Sequence, residues 1–76
     1  MPHVVVKMYK GRTEEQKQAM TEAVSKALID TIGCTDDHIS VAIEEYDRQV
    51  WGEKVFYPEI EANIDKLYKK PNYKPE

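Results

Sequence analysis

With 76 residues, a net charge of −3 and 33% charged side chains, the chain has room for one domain, residues 1–76, and no more. The mildly acidic balance excludes a nucleic-acid footprint, and apolar runs of only a few residues exclude a membrane span or a signal peptide. Cys34 is the single cysteine, so no internal disulfide forms, and His3, Cys34 and His38 are too scattered for a zinc site; no metal is expected, and a lone thiol without an export signal fits a cytoplasmic protein.

His3 to Met8 reads HVVVKM, a β-branched run of strand length expected to be buried on both faces. Tyr9, Lys10 and Gly11 break it. Thr13 followed by Gln16 is the capping-box pattern, and Glu14 and Glu15 suit the positive end of a helix dipole. Met20, Ala23, Val24, Ala27, Leu28 and Ile32 then recur at helical spacing, and Gly33 is placed to stop the helix, so the pattern predicts a helix from about Glu14 to Ile32. Asp36 and Asp37 read as a turn. Ile39, Val41 and Ile43 alternate with Ser40, Ala42 and Glu44, which is the period of a strand.

Two strands flanking a long helix should be parallel and joined by a right-handed crossover. After Asp47 the pattern dissolves into a loop carrying Arg48, Trp51 and Gly52. Pro58 is placed to open a second helix whose apolar face is Ile60, Ile64, Leu67 and Tyr68. That helix should stop before Pro71, leaving Lys69 to Glu76 as a loosely held tail. The expected class is α+β: a β-α-β unit with a C-terminal helix. A domain this small buries only about 60% of its unfolded surface. Lacking disulfides and metal, it is expected to be a homo-oligomer whose sheets pair between subunits.

Met1-Pro2, a short apolar strand, and Gly11-Arg12-Thr13-Glu14-Glu15-Gln16-Lys17 leading into the first helix together resemble the start of 4-oxalocrotonate tautomerase and its relatives. The similarity runs on to Trp51-Gly52. The ending Lys69-Lys70-Pro71-Asn72-Tyr73 looks like that of a subgroup of slightly longer bacterial tautomerases. The resemblance implies a cofactor-independent isomerase that moves a proton beside the carbonyl of a small unsaturated 2-oxo or enol acid. It also implies a homo-oligomer; the family includes hexamers, but the longer C-terminal segment favours a dimer.

The resemblance gives each candidate residue a role. Pro2, once Met1 is removed, offers a secondary amine as the base; burial or nearby positive charge keeps such an amine neutral. With Met1 attached its nitrogen is an amide without basicity. Arg12 precedes the helix N-terminus, where the dipole disfavours a cation; the matching arginine of the family holds a substrate carboxylate, a task its planar fork suits. Trp51 corresponds to an aromatic wall of the site.

Ser40 is a departure, because well-studied members carry a second arginine there that polarises the substrate carbonyl. Arg48 is near in sequence to Trp51 and is the expected compensation. His3, His38 and Cys34 read as structural. The missing arginine also leaves a rival reading, a non-enzymatic dimeric module of the same fold that binds small ligands. A hydratase or dehalogenase ranks below both, since no acidic residue is clearly placed to activate water.

Overall fold

The computed structural model describes residues 1–75. Strand β1 covers His3–Tyr9, helix α1 Glu14–Ile32 and strand β2 Ser40–Tyr46. β1 and β2 pair in parallel, from His3 opposite Ser40 to Tyr9 opposite Tyr46. The α+β class and its β-α-β core are as expected.

Helix α1 begins and ends where its sequence says it should. The Thr13 hydroxyl accepts the Gln16 backbone N–H at 3.1 Å, and the Gln16 side-chain oxygen accepts the Thr13 N–H at 2.9 Å. At the other end Gly33 adopts φ 74°, a left-handed cap whose N–H returns to the Ile29 carbonyl; only glycine takes that conformation without a Cβ penalty. Between β1 and α1, Gly11 turns the chain with φ 123°. The acidic turn is a short 3₁₀ segment, Asp36–His38.

The register assigns the sheet's two faces. Lys17 on α1 donates to Glu45 at 2.7 Å, so α1 lies over Val41, Ile43 and Glu45 with their register partners Val4, Val6 and Met8. The opposite face carries Val5, Lys7 and Tyr9 beside Ala42, Glu44 and Tyr46. Neither face is sealed: no residue of α1 is buried, and Val5 is 42% exposed. Burial of β1 on both faces is therefore not met within one protomer.

The C-terminal third departs most from expectation. A 3₁₀ turn at Arg48–Val50 runs into a π-helical segment, Gly52–Ile60, followed by a 3₁₀ segment, Glu61–Lys66. Pro58 sits inside this helical stretch rather than at its start. Proline has no N–H to donate and its ring collides with the carbonyl four residues back in an α-helix, a conflict a wider turn relieves. Trp51 is thus at the head of a helix, not in a loop. Trp51, Val55 and Phe56 are the buried hydrophobic residues, with Tyr9, Tyr46 and Ile60 packed around them. The core of the protomer therefore lies between the C-terminal segment and the Val5–Tyr9 face of the sheet.

The tail is held, not loose. The Trp51 indole N–H donates to the Tyr73 hydroxyl at 2.9 Å, and the Tyr73 ring lies 5.3 Å from that of Phe56. Of the expected loose segment, Glu76 lies outside the described residues.

Candidate active site

Parallel pairing decides which candidate residues meet. Pro2 and Ser40 stand together at the start of the strands, where the Ser40 N–H donates to the Pro2 carbonyl at 3.2 Å. The Ser40 hydroxyl and His3 Nδ1 share a hydrogen bond of 2.6 Å. Met1 projects into solvent at 91% exposure.

The other candidates gather at the far end. There the Lys10 N–H closes the ladder on the Tyr46 carbonyl at 3.0 Å, and the chain turns to present Arg12. A cleft of about 340 Å³ is lined by Lys7, Met8, Tyr9, Arg12, Trp51 and Tyr73. Trp51 is 7% exposed and is both a core residue and a wall of this cleft. Its ring meets Tyr9 and Tyr46 edge-on at 5.2 and 6.0 Å, the geometry aromatic quadrupoles favour. The Arg48 guanidinium lies 5.3 Å over the Tyr9 ring, a cation–π contact at the same end of the molecule.

Strand β1 has seven residues. At about 3.3 Å per residue its ends are roughly 20 Å apart. One protomer therefore does not bring Pro2 and Arg12 to the same small molecule. Within a protomer Arg12 is therefore too far from Pro2 to supply the nearby positive charge that keeps an amine neutral, and Ser40 is likewise far from the Arg12 cleft.

Charged groups on the cleft's flank tie the C-terminal segment to the sheet. Lys7 donates to Glu59 and lies 3.8 Å from Glu44, which accepts from the Tyr46 hydroxyl at 3.1 Å. The hydrogen bond to Glu59, chiefly, holds the Lys7 ammonium above its ordinary range. The bond to Glu44 does the same for the Tyr46 phenol. Among the described residues no cluster of His, Cys, Asp and Glu is arranged to hold a metal, and no helix is long and apolar enough to cross a membrane.

Sequence reasoning missed Tyr73 and Tyr9. Tyr9 ends a legible strand, and its odd position puts it on the face with Lys7, so alternation could have found it. Tyr73 carries no local signal, since its partner Trp51 is 22 residues away.

These features define a class, a small β-α-β protein with a polar strand end and an arginine–aromatic cleft. A sequence model of the family described as tautomerase enzyme matches residues 2–57. A probable tautomerase of Xylella fastidiosa is 34% identical over 73 residues, covering 96% of this chain and 89% of that protein. Tautomerase PptA of Pectobacterium carotovorum is 36% identical over 74 residues, covering 96% and 97%. The crystal structure of YwhB, a homologue of 4-oxalocrotonate tautomerase, aligns with TM-score 0.60 and 45% identity over 62% of this chain and 77% of that one. The chain belongs to the tautomerase family, and its activity is that of an isomerase.

Proposed function

We propose that this tautomerase interconverts keto and enol forms of small unsaturated 2-oxo acids in a site built between two protomers of a homodimer. Pro2 of one copy, freed of Met1, removes and returns the proton, while Arg12 of the other holds the carboxylate. The observation that carries this is the position of Pro2 and Arg12 at opposite ends of β1. Two copies related by a two-fold axis, with their sheets joined antiparallel, set the strand starts of one beside the strand ends of the other.

The protomer's exposure supports the assembly. Among the described residues, the buried hydrophobic ones are Trp51, Val55 and Phe56, too few for a domain that must offset its own ordering entropy. Residues 1–76 form one domain, and the dimer provides the missing core. The C-terminal segment covers part of the Val5–Tyr9 face, which disfavours stacking dimers through that face and supports a dimer over a hexamer.

In the joined site Trp51 excludes water, and the Arg12 guanidinium stands near the amine of the other copy. Both favour the neutral amine, which is the form that can accept a proton. Arg12 binds the acid through its fork and draws negative charge away from the reacting carbon. Arg48, stacked on Tyr9, adds positive potential at the same end. Ser40, bonded to His3, is a neutral polar neighbour of Pro2 and contributes no carbonyl-polarising charge. Proton transfer through an imino nitrogen requires no cofactor.

Ketonisation of phenylenolpyruvate, followed by ultraviolet absorbance on protein whose intact mass lacks Met1, tests the reading. A rate above buffer that collapses in Pro2→Ala is expected. A rate equal to buffer with Met1 absent would favour the non-enzymatic binding module.

A further inference from the structure

The family match ends at residue 57, yet the tail beyond it reaches the Arg12 cleft. Three contacts bring it there. The Tyr73 hydroxyl accepts the Trp51 indole N–H at 2.9 Å, the Tyr73 ring packs on Phe56, and the Pro75 ring lies where a Cβ on Gly52 would meet it at 3.4 Å. Tyr73 thereby lines the cleft together with Arg12 and Trp51.

The hydrogen-bond inventory then leaves a donor in the cleft. A phenol hydroxyl both accepts and donates. Its accepting side serves the indole N–H, a group that buried Trp51 cannot leave unpaired without cost. Its own proton has no acceptor among the described residues. Among the described residues, a neutral donor without an acceptor therefore stands in the same small cleft as the guanidinium.

We infer that Tyr73 is a substrate-contacting residue that selects 2-oxo and enol acids, its hydroxyl donating to the 2-oxygen while Arg12 holds the adjacent carboxylate. The inference rests on the reading of the Arg12 cleft as the acid-binding end. In a 2-oxo acid the carboxylate and the 2-oxygen are on neighbouring carbons, so two donors converging on one cleft can take both. As Pro2 of the other copy removes a proton, negative charge develops on the 2-oxygen. A fixed donor gains strength as that charge grows, which lowers the barrier more than it tightens substrate binding. No bond to Tyr73 forms and no proton need leave it: the hydroxyl stabilises the enolate and the proton returns from the imino nitrogen to carbon. The tail thus supplies a carbonyl-polarising group that Ser40, engaged with His3 at the other end of the strand, does not.

The test compares Tyr73→Phe with Arg12→Ala in the full-length, Met1-free protein, using two probes. One is turnover of phenylenolpyruvate; the other is inhibition by cinnamate, an unsaturated acid without a 2-oxygen. Tyr73→Phe keeps the ring on Phe56 and removes the hydroxyl. Its kcat on phenylenolpyruvate is expected to fall about a hundredfold with its inhibition constant for cinnamate unchanged. An unchanged kcat overturns the inference. So does a loss of turnover matched by an equal loss of cinnamate binding, which is what a merely structural anchor for Trp51 would give.

Arg12→Ala separates this from failure of the underlying reading. It is expected to weaken both probes; if it weakens neither, the cleft does not bind the acid and the inference falls with it. Should Tyr73→Phe lose its fold by circular dichroism, 3-fluorotyrosine at position 73 carries the test. It keeps the ring and strengthens the donor, so kcat should change while cinnamate inhibition holds, and no change in kcat overturns the inference.

Discussion

Pro2 and Arg12 stand at opposite ends of the same strand, one residue before His3 and three after Tyr9, with the seven residues of β1 between them. This separation makes subunit complementation a direct test of the two-protomer site. Pro2→Ala and Arg12→Ala homodimers should each be inactive. In a mixed dimer, one site joins the intact proline of one chain to the intact arginine of the other. Denaturing the two variants together and refolding them should restore about a quarter of wild-type activity, because half the dimers are mixed and each has one of two sites. A site complete within one chain would yield no recovery, and assay of the refolded mixture decides between them.

The exposed faces predict a stability that depends on concentration. Ile29 and Ile32 on α1 are 36% and 63% exposed, and Val5 is 42% exposed. If a second copy covers such surface, unfolding is coupled to dissociation and the melting temperature rises with protomer concentration. Scanning calorimetry over a hundredfold range of concentration, about 1 to 100 μM, reads this shift. Sedimentation showing a stable monomer at the low end would remove the basis for a dimeric site.

Thr13→Ala should destabilise the protein by about 1 kcal/mol in denaturant titration, the usual cost of losing an N-cap. It removes the hydroxyl that accepts the Gln16 N–H. Gln16→Ala should cost less, since the Thr13 N–H it frees lies at an exposed position where water can replace the side-chain oxygen. The box also explains why this half of the fold was legible. Thr13, Gln16 and Gly33 act on backbone groups within a few residues, so their meaning survives without tertiary context. The strands were legible for the same reason, since the β-branched run of β1 and the alternation of β2 need only neighbours.

The other half depends on contacts far along the chain. Trp51, Val55, Phe56 and Ile60 do recur at helical spacing, but the proline between them argues locally for a helix start, and the packing of Trp51 between Tyr9 and Tyr46 overrides it. Arg12 and Trp51 were legible as a pair through the family resemblance. The distance of Arg12 from Pro2 follows from the length of β1, a local pattern, whereas that of Trp51 follows from its packing on Tyr9, which no local pattern shows. Trp51→Ala should cost roughly 3–5 kcal/mol, the range for truncating a large core aromatic. It should also abolish turnover by opening the cleft, while Trp51→Phe should retain part of both. Equal stability of Trp51→Ala and wild type in urea would mean that the C-terminal segment is not packed as described.

The ion pairs that tie elements together predict how stability falls in alkali. Lys7 is bonded to Glu59, and Lys17 to Glu45 with Glu14 at 3.5 Å. In both lysines the carboxylate hydrogen bond is the leading cause of a pKa raised from 10.5. A group whose pKa is higher folded than unfolded binds its proton more tightly in the folded state. Its stabilising contribution is therefore complete below about pH 10.5 and is lost as pH rises through the folded value. Melting temperatures measured from about pH 9 upwards should hold level at first and then decline. Glu59→Gln removes the Lys7 part of that decline while leaving the Lys17 part. Because Lys7 bridges β1 to the helical segment that follows Trp51, the same variant should loosen that segment first, seen as a red shift of Trp51 fluorescence below the global transition. A Glu59→Gln protein with the wild-type alkaline profile and unshifted emission would show that Lys7 does not hold the C-terminal segment in solution.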